Sequence, residues 1–165
     1  HTLDHTMWLM GSPRPVSVLG ATYAIFGKRA DVVSPRGRWD PTTFDVDDTA
    51  FAMVRFEGGA TLILRTAWAA NVDRSYGETR ILGSKGGAYM SPLTIYAEQH
   101  GALVNITPAE LPEVRAHHKE IESFIACVRD GAECQVPLEQ VLQVQEVLDA
   151  IYCSSETGHE VMLNR

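Results

Sequence analysis

His1, Asp4 and His5 open the chain, and they are the residues whose types and spacing could do chemistry. At the start of a helix, residues three apart are neighbours on one face, so His1 and Asp4 would stand side by side. An imidazole beside a carboxylate that orients it and stabilises its charged form is the equipment of a general base. The same residues also suit a plain helix start, with Asp4 a first-turn acid favoured by the helix dipole and His1 a frayed end. Spacing alone leaves both readings open. His5 points about a quarter-turn away from Asp4 and is peripheral.

These side chains head an apolar helical stretch, Leu3, Met7, Trp8 and Met10, that stops at Gly11. No initiator Met precedes them, so the chain reads as part of a longer polypeptide. After Ser12-Pro13-Arg14-Pro15, which cannot continue a helix, the β-branched and aromatic run from Val16 to Phe26 predicts a strand. Residues 27 to 46 are polar and aperiodic. A connection of about 20 residues is long for a compact domain, which makes it a candidate for covering a site or a partner.

The clearest signal spans Asp47 to Asn71, where two alternating runs flank Glu57-Gly58-Gly59-Ala60. Glycine pairs supply the positive φ of a tight turn, so this is a long antiparallel hairpin. Ala50, Ala52, Val54 and Phe56 share one face with Leu62, Leu64, Thr66 and Trp68. Thr49, Phe51, Met53 and Arg55 share the other with Thr61, Ile63, Arg65 and Ala67. A sheet covered on one side should show one polar face, yet Phe51, Met53 and Ile63 occupy the second. Such a face asks for a second subunit or domain, or for a second layer of the same chain as in a sandwich.

Further strands are expected at 77–82, 88–90, 93–96 and 102–106. Gly83-Ser84-Lys85-Gly86-Gly87 between the first two is a hairpin turn rather than a phosphate loop, because a strand and not a helix follows it. Ile121, Phe124, Ile125 and Val128 recur at helical spacing up to Gly131. Pro137 opens a second helix running to Gly158. Both helices should pack on the sheet, and 160–163 should add a short edge strand.

A chain of 165 residues is long enough to form one self-standing domain. Its 21 acidic against 14 basic residues, a net charge of −7, argue against nucleic acid and anionic membranes as partners. Arg29, Arg36 and Arg38 gather in one loop, but Asp31, Asp40 and Asp45 dilute them. Cys127, Cys134 and Cys153 match neither a disulfide framework nor a zinc site, which suits a reducing compartment. His117 and His118 lack a third ligand at metal spacing and read as surface residues, so no metal is expected. No signal peptide or membrane span is visible, and a cytoplasmic location is expected.

Several segments, in order, resemble the C-terminal domain of the Gfo/Idh/MocA family of NAD(P)-dependent oxidoreductases. They are His1-x-x-Asp4-x-x-x-Trp8-Leu9-x-Gly11, Asp47-Asp48-Thr49-Ala50 with Phe56-Glu57-Gly58-Gly59-Ala60, Gly83-Ser84-Lys85-Gly86, Glu120-Ile121-x-x-Phe124-Ile125, and Asp149-Ala150-Ile151-Tyr152-x-Ser154. The resemblance covers essentially the whole chain. It implies that 1–165 is an α+β substrate-binding and oligomerisation domain, with a large open, mainly antiparallel sheet. Helices would pack on one sheet face and the other would serve a homo-oligomer.

The resemblance further implies an N-terminal Rossmann domain outside this chain that binds NAD or NADP, so that residues 1–165 alone would be inactive. His1 matches the family's catalytic histidine and Asp4 a supporting carboxylate. The substrate would be a sugar, cyclitol or related polyol, with Arg65, Trp68 and Asn71 as candidate contacts from their position on the hairpin. For those three, sheet packing or an interface role stands beside substrate binding. A non-catalytic binding or scaffold module of the same fold is the alternative function.

Overall fold

The computed structural model describes residues 1–32, 37–72 and 77–163. The chain forms two compact units, His1–Gly77 with Glu139–Arg165, and Glu78–Leu138. The expected α+β class is observed, with antiparallel open sheets and α-helices. The described strands all pair antiparallel. Among the described residues their hydrogen bonding divides them into two sheets of four.

In the first unit, helix α1 (Thr2–Leu9) leads to strand β1 (Pro15–Tyr23), followed by β2 (Thr49–Phe56) and β3 (Thr61–Ala67). Ala52 lies opposite Leu64 and Val54 opposite Leu62, the register that the alternating pattern and the glycine turn require. Phe56 N–H donates to the Ala60 carbonyl at 2.9 Å, and Gly58 and Gly59 take φ of 80° and 88° to close the turn. β1 pairs antiparallel with β2 on one side and with the short edge strand β8 (Val161–Met162) on the other. The inner face carries Val18, Ala52, Val54, Phe56 and Leu62, buried against Leu3 and Met7 of α1 and Val147, Ala150 and Ile151 of the long helix α3 (Leu138–Thr157). Each fully buried aliphatic side chain here contributes about 1.5–3 kcal/mol.

Close approach of α3 to β1 depends on Gly20, since a Cβ there would lie 2.9 Å from Ile151 Cγ2. Polar stitches secure the contact. Gly20 N–H donates to Ser154 Oγ at 2.9 Å, Ser154 Oγ–H donates to the His159 carbonyl at 2.7 Å, and Thr22 N–H donates to Ser155 Oγ at 2.9 Å. Ser154 is fully buried, so Ser154→Ala leaves two backbone groups without that partner. Urea unfolding should show a loss of about 1–3 kcal/mol. An unchanged midpoint would mean that these groups find other partners.

The second unit holds the meander β4 (Arg80–Gly83), β5 (Gly86–Met90), β6 (Leu93–Gln99) and β7 (Ala102–Ile106), then helix α2 (Ala116–Asp130). Gly83 pairs with Gly86 across Ser84-Lys85, so this glycine-rich segment is a hairpin turn, as its sequence context indicates. Gly131, at φ 65°, ends α2 in the left-handed conformation. Ile121 and Phe124 are 58% and 67% exposed, and no residue of α2 is buried. Helical periodicity marks which face is apolar, but it does not specify what covers that face.

Candidate functional site

α1 carries the first pair of candidates. Leu3 and Met7, four residues apart, lock one stripe of the helix into the core, which turns His1, Asp4, His5 and Trp8 to the exposed side. His1 is the N-cap and makes no side-chain capping hydrogen bond, while Asp4 lies in the first turn. No hydrogen bond links their side chains among the described residues. His5 stacks on Trp8 with ring centroids 6.4 Å apart. What the fold supplies here is a firmly seated helix end presenting an imidazole and a carboxylate outward.

The second group gathers at the open end of the β2–β3 hairpin. Asp48 is 2% exposed, and its Oδ2 accepts hydrogen bonds from Phe26 N–H at 2.6 Å and Gly27 N–H at 3.1 Å. Its own backbone ties the neighbouring chains together: Asp48 N–H donates to the Tyr23 carbonyl at 2.8 Å, and the Asp48 carbonyl accepts from Trp68 N–H at 3.1 Å. The Trp68 indole N–H donates to the Asp47 carbonyl at 2.9 Å, and the Trp39 indole N–H donates to the Gly27 carbonyl at 2.7 Å. Trp39 and Trp68 meet edge to face at 5.5 Å, and Phe44 lies 5.6 Å from Trp68. Arg29 is neutralised by a two-bond pair with Asp31 at 2.9 and 2.8 Å. Arg36 lies outside the described residues.

Helix α3 reaches the same end through Tyr152. Its phenol is held above the ordinary tyrosine value, first by hydrogen bonding with the Asp47 carboxylate, then by partial burial and by that carboxylate's charge. On the loop itself, hydrogen bonds from Thr42 lower the Asp40 carboxyl below its usual range. They also cap the short 3₁₀ turn Pro41–Thr43.

Of the candidates read from sequence, Trp68 lies at the centre of this aromatic cluster. Asn71 is exposed three residues further on. Arg65 stands elsewhere: it pairs with Phe51 on the sheet's open face. Tyr23 meets Phe51 edge to face there at 6.3 Å, and Phe51 and Ile63 are 42% and 66% exposed. Gly27, Trp39 and Phe44 are the residues of this region that sequence reasoning did not single out, and Asp48 and Tyr152 entered it only within segments that carry the family resemblance. The doubled acid Asp47-Asp48 entering a hydrophobic strand was the available signal, because an acid there needs donors.

The described residues contain no strand, glycine-rich turn and helix in succession that would cradle a dinucleotide phosphate. They also contain no group of three His, Cys, Asp or Glu side chains able to hold a metal ion. No described helix is long and apolar enough to cross a membrane.

Comparison with known proteins agrees with this architecture. Residues 1–163 match the Gfo/Idh/MocA oxidoreductase family, C-terminal alpha/beta domain. D-glucoside 3-dehydrogenase of Escherichia coli K12 is 31% identical over 99% of the chain and 46% of its own length. An oxidoreductase domain protein from Kribbella flavida shares the fold with a TM-score of 0.77 at 21% identity, over 100% of this chain and 48% of that one. The WlbA dehydrogenase of Bordetella pertussis, solved with NADH and UDP-GlcNAcA, gives 0.63 at 23% identity, over 100% and 43%. The chain thus spans about half the length of these relatives. With the family matched from end to end and the elements in their expected order, the chain belongs to the Gfo/Idh/MocA oxidoreductases as their C-terminal alpha/beta domain.

Proposed function

We propose that residues 1–165 form the substrate side of a dehydrogenase that oxidises a secondary hydroxyl of a sugar, most directly a glucoside, or of a related polyol. The 31% identity to a D-glucoside 3-dehydrogenase, sustained over 99% of the chain, carries this reading. NAD or NADP, held by a Rossmann domain outside these residues, would accept the hydride from the reacting carbon. This chain's part is proton management and binding. His1 accepts the hydroxyl proton, Asp4 orients the imidazole and stabilises its charge, and Trp68 with Asn71 lines the sugar. No described segment offers a dinucleotide cradle, so residues 1–165 alone should reduce no cofactor.

The test is the complete polypeptide assayed with methyl glucosides, free aldoses and cyclitols, each with NAD and with NADP. Dinucleotide reduction matched by formation of a keto sugar supports the reading. No turnover with any of them overturns it. Three free cysteines suit the reducing cytoplasm as the working compartment.

The open face of the first sheet is assigned to self-association. Phe51 and Ile63 are exposed there beside Arg65, for which an interface role suits its position better than contact with the sugar. Phe51→Asp in the complete protein should shift sedimentation toward smaller species, because the contact would bury an unpaired charge. An unaltered mass distribution counts against this face.

A further inference from the structure

We propose that Trp39 and Gly27 are positioning residues that set the tilt of Trp68 as a stacking platform for a pyranoside with equatorial hydroxyls, an inference that rests on the substrate reading above. Gly27 is the hub of the arrangement. Its N–H donates to buried Asp48, and its carbonyl takes the Trp39 indole N–H. The Phe44 ring occupies the space where a Cβ would otherwise project, with Cζ only 2.0 Å from that position. One residue without a side chain thereby anchors both aromatic rings of the loop against the hairpin end.

Those two rings hold the third. Trp39 meets Trp68 at 70° and Phe44 meets it at 43°, so two rings contact the indole while its own N–H is tied to the Asp47 carbonyl. Trp68 nevertheless remains 41% exposed. With both indole N–H groups already bonded to backbone carbonyls, the exposed part of Trp68 offers a ligand carbon surface and no donor. A β-glucopyranoside matches that surface, because its equatorial hydroxyls leave axial C–H bonds to form an apolar face. A galactoside, whose 4-hydroxyl is axial, interrupts the face formed by C2–H and C4–H, which is the face assigned to the indole, and leaves the C1–H, C3–H and C5–H face intact. The cluster therefore acts on which sugar is bound, and chemistry at the reacting carbon is left to other groups.

The experiment compares Trp39→Phe, Trp39→Ala and Trp68→Ala in the complete enzyme. KM and kcat are measured for methyl β-D-glucopyranoside and methyl β-D-galactopyranoside at saturating dinucleotide. Trp68→Ala is expected to raise the glucoside KM about tenfold and to erode the preference for glucoside over galactoside. Trp39→Phe keeps a ring in the cluster and removes the bond to Gly27. It should raise the glucoside KM about two- to fivefold and lower the preference in step, with kcat within about twofold of the parent. Trp39→Ala should do more in the same direction. If Trp68→Ala shifts KM and preference while Trp39→Phe moves neither, Trp39 is packing alone and the positioning claim is overturned. If Trp68→Ala itself moves neither in an active enzyme, the stacking platform is overturned and the dehydrogenase reading stands.

Discussion

Replacing His1 with alanine in the complete enzyme is expected to lower kcat/KM for the sugar by about 10²- to 10⁴-fold, the usual range for removal of a general base. The dinucleotide dissociation constant should stay within about twofold, because a side chain that handles only the substrate proton makes no ground-state contact with the cofactor. The structure makes this a clean substitution. His1 is exposed at the N-cap of α1 and contributes no capping bond, and the helix is seated by Leu3 and Met7, so its loss disturbs neither core nor helix start. Added imidazole should restore part of the rate if the missing function is proton acceptance. Asp4→Asn keeps the shape and removes the charge, and it should cost about tenfold, between the parent and the alanine variant. Turnover unchanged in His1→Ala would remove this residue from the mechanism, and the exposed pair on α1 would then be an ordinary helix start.

The largest stability effect is expected at Asp48. Asp48→Ala strips the acceptor from the Phe26 and Gly27 N–H groups in a site where Asp48 is only 2% exposed. Hydrogen bonds to a charged acceptor contribute about 1.5–3 kcal/mol each, and unmatched buried donors add to the loss, so about 3–5 kcal/mol is expected from urea unfolding. That would be a large fraction of the stability of a typical domain. Asp48→Asn retains an acceptor oxygen of the same reach and should cost about 1–2 kcal/mol, which separates the geometry of acceptance from the charge. Because the same carboxylate holds Gly27, glucoside KM should rise along with the stability loss. Equal stability of the alanine variant and the parent would show that the 26–27 turn is held by other means.

Much of this was legible in the residues themselves. Alternation at period two, interrupted by Gly58-Gly59, sets both the register of β2 against β3 and the faces of the hairpin, because strand geometry makes each side chain's direction a local property. Arg65 and Trp68 already fall in opposite sets of that alternation, and the structure keeps them apart. The glycine stops are local too, which is why Gly131 ends α2 where its pattern ends. The linear order of segments sufficed to point to the family.

Tertiary structure alone decided the rest. The division of the strands into two four-stranded sheets depends on which edges find partners, and no window of sequence carries that information. The same holds for the exposure of α2's apolar stripe, since periodicity names a face and not its cover. The polar, aperiodic stretch from 27 to 46 showed no reason to place Trp39 and Phe44 on Trp68. That meeting follows from Asp48, whose desolvated carboxylate draws two backbone N–H groups across the fold and brings the loop's aromatic rings with them. Which distant donors satisfy a buried carboxylate is a property of the packed molecule, not of any window of sequence.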